Sequence, residues 1–384
     1  MVPTDTALAS GSDHVRPRPN FYVPQLDALR FIAFFLVFIH HNLPTGEKLL
    51  HRLGPTLQSG FILVRDVAGF GLSLFFFLSS YLIASLLLME KASTSTVDLR
   101  AFYVRRILRI WPLYFTFLGA VALSGIWLSA EHMSLPRLGA MVFLAGNWYS
   151  IAAGTGPFVI APLWSISVEE QFYAIWPSVF RLLSKRAFLI FSVAVAIFSL
   201  ASTAILASRG ASSLDLWMNS LSEFIFFAAG SLLAHRFNAM QKPNVPRGIL
   251  LMSSGAVLWF ITEIWCKVND RGAVQLPILL SLGYLLIAIG CALLIMGALS
   301  IPAQAIPEWL RYLGKISYGL YVFHALSMHL VRSTPLKWHL QTPGLEFVVI
   351  FAITLVLADL SYRFLEKPFL RLKRRFEVVV TRSA

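Results

Sequence analysis

The feature that most constrains this chain is a series of ten apolar stretches, separated by short polar segments and each near the length of a membrane-crossing helix. A bilayer core about 30 Å thick needs roughly 20 helical residues. It holds no water to pair with backbone N–H and C=O groups, so a spanning segment must satisfy them internally as an α-helix. We therefore predict an all-α polytopic membrane protein with about ten transmembrane helices, at residues 26–44, 67–89, 108–129, 160–181, 188–208, 219–236, 248–266, 277–298, 315–331 and 346–366.

The composition supports this fold class. Of the 384 residues, 57% are hydrophobic and only 13% are charged, whereas a soluble protein of this length needs far more charged surface. Residues 138–150 are short and contain Gly, Asn and Ser, so we interpret them as a re-entrant or interfacial segment. Cys266 and Cys291 lie in unrelated apolar surroundings. Their spacing predicts neither a disulfide framework nor a zinc site, and we predict no bound metal.

The basic residues predict the orientation. Ten spans place both termini on one side, and 22 of the 32 Lys and Arg residues fall in segments on that side, against nine on the other. Cytoplasmic loops carry such an excess, so both termini are predicted to be cytoplasmic. The asymmetry also accounts for the net charge of +13 without nucleic acid as a partner. We expect a disordered cytoplasmic arm at residues 1–20, one transmembrane domain at 21–370 and a basic cytoplasmic tail at 371–384.

The first span has polar residues at both ends, in the stretch "LDALRFIAFFLVFIHHNLP". Arg30 and His41 are eleven residues apart, which puts their side chains on one helix face and about 16 Å apart along the axis; His40 points roughly 80° away. A charge at the centre of a membrane helix costs at least ~2.5 kcal/mol, so both residues are functional candidates. The alternative is that Arg30 reaches lipid phosphates and the histidines lie among outer headgroups.

Two later spans also contain polar residues. Ser165 and Glu169 lie on one helix face in "LWSISVEEQFY", and His324 lies within "GKISYGLYVFH". A histidine, a carboxylate and an arginine are the components of a general-base site. The same residue types also relay protons in transporters, so a proton-coupled transporter is the alternative function.

An arginine pair marks the start of the third span. Arg106 and Arg109 are adjacent on one helix face where the chain enters the membrane, in "FYVRRILRIWPLY". Guanidinium groups bind phosphates in a bidentate manner, so the pair is a candidate site for a phosphorylated ligand. The requirement for positive charge at cytoplasmic helix ends explains the pair equally well.

Taken together, these segments resemble the acyltransferase-3 family of integral-membrane O-acyltransferases, across nearly all of residues 20–370. Six blocks in the family's order carry the resemblance: "LDALRFIAFFLVFIHH", "LFFFLSSYLI", "FYVRRILRIWPLY", "LWSISVEEQFY", "GKISYGLYVFH" and "LSYRFLEKPF". The family's motif positions fall on Arg30, His41, Arg106, Arg109, Trp164, Ser165, Glu169 and His324. The chain departs from the family at Ser80, where the second helix usually has glycine.

The resemblance implies transfer of an acyl group, usually acetyl, from acyl-coenzyme A to a hydroxyl. His41 would take the hydroxyl proton or carry the acyl group itself, and Glu169 would orient the imidazole. Arg30 would stabilise developing negative charge or hold the thioester arm. Arg106 and Arg109 would bind coenzyme A phosphates. Acyl-coenzyme A is then a donor substrate, and no permanently bound cofactor is expected.

The resemblance also implies a carbohydrate or glycoside acceptor, such as an envelope or exported glycan, and a place among the lipids of a bacterial inner membrane. Trp148 and Tyr149 are the aromatic residues that sugars stack against, although an interfacial turn explains them as well. We therefore predict the substrate-binding residues to be Trp164, Ser165, His324, Trp148 and Tyr149.

Overall fold

The structure, a computed structural model, describes residues 21–43, 54–127, 133–236, 243–269, 276–333 and 343–379, and the predicted arm at 1–20 lies outside them. All regular secondary structure in these ranges is helical. The α-helices are α1 Pro24–Asn42, α2 Pro55–Gly69, α3 Gly71–Thr94, α4 Leu99–Trp127, α5 Leu135–Val142, α6 Gly146–Ala153, α7 Trp164–Leu182, α8 Lys185–Ser208, α9 Ser213–Met218, α10 Ser220–Arg236, α11 Val245–Cys266, α12 Pro277–Leu299, α13 Glu308–Lys315, α14 Ser317–Ser333, α15 Pro343–Ser361 and α16 Lys367–Lys373.

Each of the ten apolar stretches coincides with a helix, although not every helix is a clear span. Within the described ranges, six helical segments are long and apolar enough to cross a membrane: α2 with α3, α4, α8, α11, α12, and α15 with α16. Large apolar side chains such as Ile197, Leu250 and Trp265 are exposed on the outside of the bundle. This surface suits lipid, while the count of ten spans and the side of each terminus stay predictions.

Helix α1 lies inside the bundle. It packs against α2, α3, α12, α13 and α14, and its Ala33, Phe34 and Phe38 are fully buried. The approach of α13 is especially close, since a Cβ atom added at Gly314 would lie 1.9 Å from the backbone oxygen of Asp27. A residue without a side chain is therefore required where the two helices meet.

One end of the bundle, here named the basic end, gathers segments that are far apart in sequence. Gln25 at the start of α1 donates to the Ile301 carbonyl at 2.7 Å. Arg105 in α4 donates to the Phe376 carbonyl at 2.7 Å. The segments that the charge count assigned to one side of the membrane thus meet at the same end of the bundle.

The opposite end, here named the distal end, is held by a second set of polar contacts. The His40 ring donates from Nδ1 to the Arg65 carbonyl at 2.8 Å, and the Asn269 amide donates to the Asp66 carbonyl at 2.7 Å. These bonds connect α1, the end of α2 and the turn after α11.

The serine that departs from the family pattern is accommodated by the helix opposite. Ser80 in α3 is fully buried, and a Cβ atom added at Gly230 in α10 would lie 2.0 Å from the Ser80 hydroxyl oxygen and 2.4 Å from the Phe77 carbonyl. The glycine that close helix packing needs is therefore Gly230 of α10, and not the residue at position 80 of α3.

The segment interpreted as re-entrant or interfacial, residues 138–150, contributes to the short helices α5 and α6. Asn147 is fully buried, and its amide donates to Ser220 Oγ at 2.9 Å and to the Met218 carbonyl at 3.1 Å. Gln171 of α7 donates to Asn147 Oδ1 at 3.0 Å. This network fixes α6 against α7 and α10, so the segment is part of the bundle.

The close contact of α13 with α1 can be tested by adding one methyl group. We expect Gly314→Ala to lower the thermal midpoint of the detergent-purified protein, because overpacking costs typically ~1 to 3 kcal/mol and this clash is with backbone. Gly119→Ala in α4 is the control, since its added Cβ would meet nothing within 4 Å. Equal midpoints for the two variants would show that α13 does not approach α1 this closely.

Candidate active site

Three cavities follow α1 from one end of the bundle to the other. The basic-end cavity, of about 90 Å³, is lined by Asp27 and Arg30 of α1. The middle cavity, of about 80 Å³, shares Arg30 with it. The distal cavity, of about 290 Å³, is lined by His40 and His41. The helix face on which the residue spacing put Arg30 and His41 therefore borders a series of cavities.

The basic-end cavity is strongly charged. Arg30 pairs with Asp27 at 3.3 Å, and Arg105 pairs with Glu90 at 3.2 Å. Both carboxylates are almost fully buried, with side-chain exposures of 5% and 2%. Arg106 also lines this cavity, together with Arg109.

Both members of the arginine pair also line the middle cavity. The Arg106 guanidinium lies 5.2 Å from the centre of the Tyr173 ring, which provides a cation–π contact. Its buried Nε has no hydrogen-bond partner. The pair thus faces the boundary between two cavities, at one end of the path along α1.

Glu169 lies in the middle cavity, where it accepts hydrogen bonds from Ser79 and Tyr173. Ser165, one turn earlier in α7, lines the same cavity. The two residues therefore share a face, as their spacing predicted. His41 lines the neighbouring distal cavity, and the role of Glu169 in orienting its imidazole stays a prediction.

Two side chains, Leu72 and Tyr321, line both the middle and the distal cavities. The Tyr321 hydroxyl lies 2.6 Å from Ser165 Oγ, and both hydroxyls lie within hydrogen-bond distance of the Pro162 carbonyl, at 3.0 and 3.1 Å. Either hydroxyl can donate to the other while its partner donates to the Pro162 carbonyl, so the two side chains hold each other in place.

The distal cavity contains a pair of stacked histidines. The rings of His41 and His324 are 5.3 Å apart with planes inclined by 27°. His41 is exposed, whereas His324 is fully buried. His324 Nδ1 donates to the Tyr321 carbonyl at 2.5 Å. A carbonyl can only accept, so Nδ1 carries a proton, while Nε2 has no hydrogen-bond partner among the described residues.

His40 also lines the distal cavity, although helix spacing points it away from the Arg30 face. Its ring centre is 5.1 Å from that of His41. The end of α2 supplies part of the cavity wall through Gly69, and the Arg65 carbonyl of the same helix accepts the His40 hydrogen bond. The helical period of α1 alone could not indicate a wall supplied by another helix.

The aromatic residues around the distal cavity differ in part from those predicted. Trp164 lines it, as expected, but Trp148 is 40% exposed and the Tyr149 ring lies 4.8 Å from the Arg137 guanidinium. Neither residue is among those lining the cavity in the described part of the chain. Phe158 and Trp217 line it instead. Both lie outside the predicted spans, where no sequence pattern indicated a cavity.

No group of three or more His, Cys, Asp or Glu side chains suited to hold a metal ion occurs within the described ranges.

The different exposures of the stacked histidines can be tested chemically. We expect diethylpyrocarbonate to modify His41 in the purified protein well before His324, because only the former is exposed. Peptide mass spectrometry would measure both sites in one sample, so His324 serves as an internal control. Protection of His41 to the same degree as His324 would contradict an open distal cavity.

Comparison with known proteins finds relatives that cover most of this chain. The chain is 28% identical over 370 residues to a Staphylococcus aureus (strain COL) protein whose name describes it as a candidate O-acetyltransferase, with 91% of this chain covered. It is 27% identical over 372 residues to the peptidoglycan O-acetyltransferase OatA of Listeria monocytogenes, with 90% covered. The chain spans only 57% and 56% of the lengths of these relatives.

No solved structure gives a significant match. The family model described as "Acyltransferase domain" matches residues 23–363, which include every motif position named above. The resemblance drawn from the six sequence blocks is thereby confirmed, and the chain belongs to the acyltransferase-3 family.

Proposed function

We propose that this protein is a membrane O-acyltransferase that moves an acetyl group from acetyl-coenzyme A to a hydroxyl of an envelope glycan. The observation that carries the proposal is the series of cavities along α1, which begins at an arginine cluster and ends at two stacked histidines. A phosphorylated donor suits the first end, and proton abstraction from a hydroxyl suits the second.

We place the basic end of the bundle in the cytoplasm, with both termini, and the ten helices across a bacterial cytoplasmic membrane. The excess of Lys and Arg in the segments that meet at this end supports the orientation. The relatives named above are bacterial, which supports the choice of membrane. Acetyl-coenzyme A, a cytoplasmic metabolite, would then reach Arg106 and Arg109 directly.

Arg106 and Arg109 would bind the pyrophosphate of the donor, while its uncharged thioester arm extends through the middle cavity. Arg30 borders both cavities and lies about 16 Å along α1 from His41. That separation favours contact with the donor arm over stabilisation of an oxyanion beside the imidazole, because Coulomb interactions in a hydrated site are weak at this distance.

His41 would act as the general base at the reacting hydroxyl. The acceptor oxygen forms a bond to the thioester carbonyl carbon while its proton passes to the imidazole. The carbon–sulfur bond then breaks, and the coenzyme A thiolate takes the proton back from the His41 imidazolium as it leaves, which restores the neutral base. His324, stacked on His41 and fixed by the Tyr321 carbonyl, would hold the base in place. The Ser165 and Tyr321 hydroxyls border the same region and would donate to the developing oxyanion.

The acceptor would enter the distal cavity, from the side of the membrane opposite the donor. Trp164, Trp217 and Phe158 line that cavity and provide aromatic faces of the kind on which sugar rings stack. The Listeria relative is named as a peptidoglycan O-acetyltransferase, which favours a glycan hydroxyl as the acceptor. Membership in the acyltransferase family also favours this function over the proton-coupled transporter.

The role of His41 can be tested by comparing His41→Ala with His40→Ala in membranes supplied with labelled acetyl-coenzyme A and cell-wall glycan. Loss of a general base should slow transfer about 10²- to 10⁴-fold, while His40→Ala should keep most of the activity. Transfer of label to the glycan is measured by mass spectrometry. Normal transfer by His41→Ala would remove this residue from the mechanism.

The donor site can be tested separately from catalysis. We expect Arg106→Ala with Arg109→Ala to weaken coenzyme A binding by about tenfold or more, since a hydrogen bond to a charged group contributes about 1.5 to 3 kcal/mol. Calorimetry on the purified protein gives the affinity, and membrane fractionation checks insertion. If a correctly inserted variant kept its affinity for coenzyme A, the arginine pair would serve only to orient the chain in the membrane.

A further inference from the structure

The C-terminal segment, residues 367–379, forms part of the basic-end cavity. Helix α16 packs against α4, and the following turn is fixed by the bond from Arg105 to the Phe376 carbonyl. Val379 is only 5% exposed, and it lines the cavity together with Lys373. A segment that the sequence suggests is a solvated basic tail is thus part of the wall of a binding cavity.

This cavity has more positive than negative charges in its walls. Five cationic side chains line it, against the three carboxylates of Asp27, Glu90 and Glu377. Ion pairs join Asp27 to Arg30, Glu90 to Arg105, and Glu377 to Lys373, the last at 3.2 Å. Among the described residues, the lining therefore carries two more positive than negative side chains. An anion with several charges would lower the electrostatic cost of this arrangement.

Lys373 is held within this group of charges. Its side chain is 14% exposed, and its ammonium group is repelled by Arg109 and Arg106 while it is attracted by Glu377. A lysine that serves only to orient the chain in the membrane would extend into water or toward lipid phosphates. Its position against two arginines instead suits shared binding of one polyanion.

The order of the cavities indicates which phosphate Lys373 would bind. Arg106 and Arg109 line both the basic-end and the middle cavities, whereas Lys373 lines only the basic-end cavity. In coenzyme A, the thioester arm is followed by the pyrophosphate and then by the ribose with its 3′-phosphate. We propose that Lys373 binds the 3′-phosphate of the donor, beyond the pyrophosphate held by the arginine pair. This assignment rests on the proposed function.

The experiment compares coenzyme A with 3′-dephospho-coenzyme A by calorimetry on the full chain, purified in detergent. We expect the wild-type protein to bind coenzyme A about tenfold more tightly, because a charge-assisted contact is lost without the 3′-phosphate. Lys373→Met should bind both ligands with the lower affinity, and Lys373→Arg should keep the preference. Arg371→Gln, which removes an exposed cation from the same helix, is the matched control and should bind like wild type.

The possible outcomes separate the two proposals. If the wild-type protein bound neither ligand, the donor assignment itself would fail. If it bound coenzyme A but Lys373→Met kept the preference, only the role of Lys373 would be wrong. If Lys373→Met weakened the binding of both ligands by the same factor, Lys373 would be assigned to the pyrophosphate instead. If Lys373→Met kept the preference for coenzyme A but was no longer stabilised against heat by phosphatidylglycerol, Lys373 would be assigned to a lipid phosphate. The dephospho ligand also reports on folding, because Lys373→Met must still bind it.

Discussion

The enclosure of α1 by other helices is the constraint on which the rest of the structure depends. This helix carries Asp27 and Arg30 near one end and His40 and His41 at the other, in a protein whose outer surface suits hydrocarbon. Lipid offers these groups no hydrogen bonds, so neighbouring helices must supply the partners. Around α1 pack α2, α3, α12, α13, α14 and, through Phe347 and Phe351, α15, and the three cavities border its polar face. Burial of a polar helix face and formation of the site therefore have the same physical cause.

Much of this arrangement could be predicted from the sequence, because it follows from rules that act over short distances along the chain. Apolar length located the helices, and helical period placed Arg30 and His41 on one face. The same period placed Ser165 with Glu169 on α7 and brought Tyr321 and His324 together on α14. Each of these placements involves residues of a single helix, so the spacing of residues along the sequence is enough to predict it.

Contacts between distant segments could not be predicted in this way. Arg105 bonds to the Phe376 carbonyl across 271 positions of the chain, and no period or motif marks that pairing. The fit of Ser80 against Gly230 likewise depends on which helices become neighbours. The hydrogen bond that Glu169 accepts from Ser79 of α3 is a further case. Packing of the whole bundle decides these contacts, and a single sequence does not show it.

The side chains shared by the middle and distal cavities have a consequence for the membrane as a barrier. Leu72 and Tyr321 line both the middle and the distal cavities, so their side chains lie where the two spaces meet. A continuous water-filled pore would let ions leak through a membrane, and one aliphatic and one aromatic side chain at the junction oppose such a leak. Under the proposed function, a shift of the Tyr321 ring would let the acyl group reach a hydroxyl on the distal side. The same side chains would then serve as electrical insulation and as the point of chemical contact.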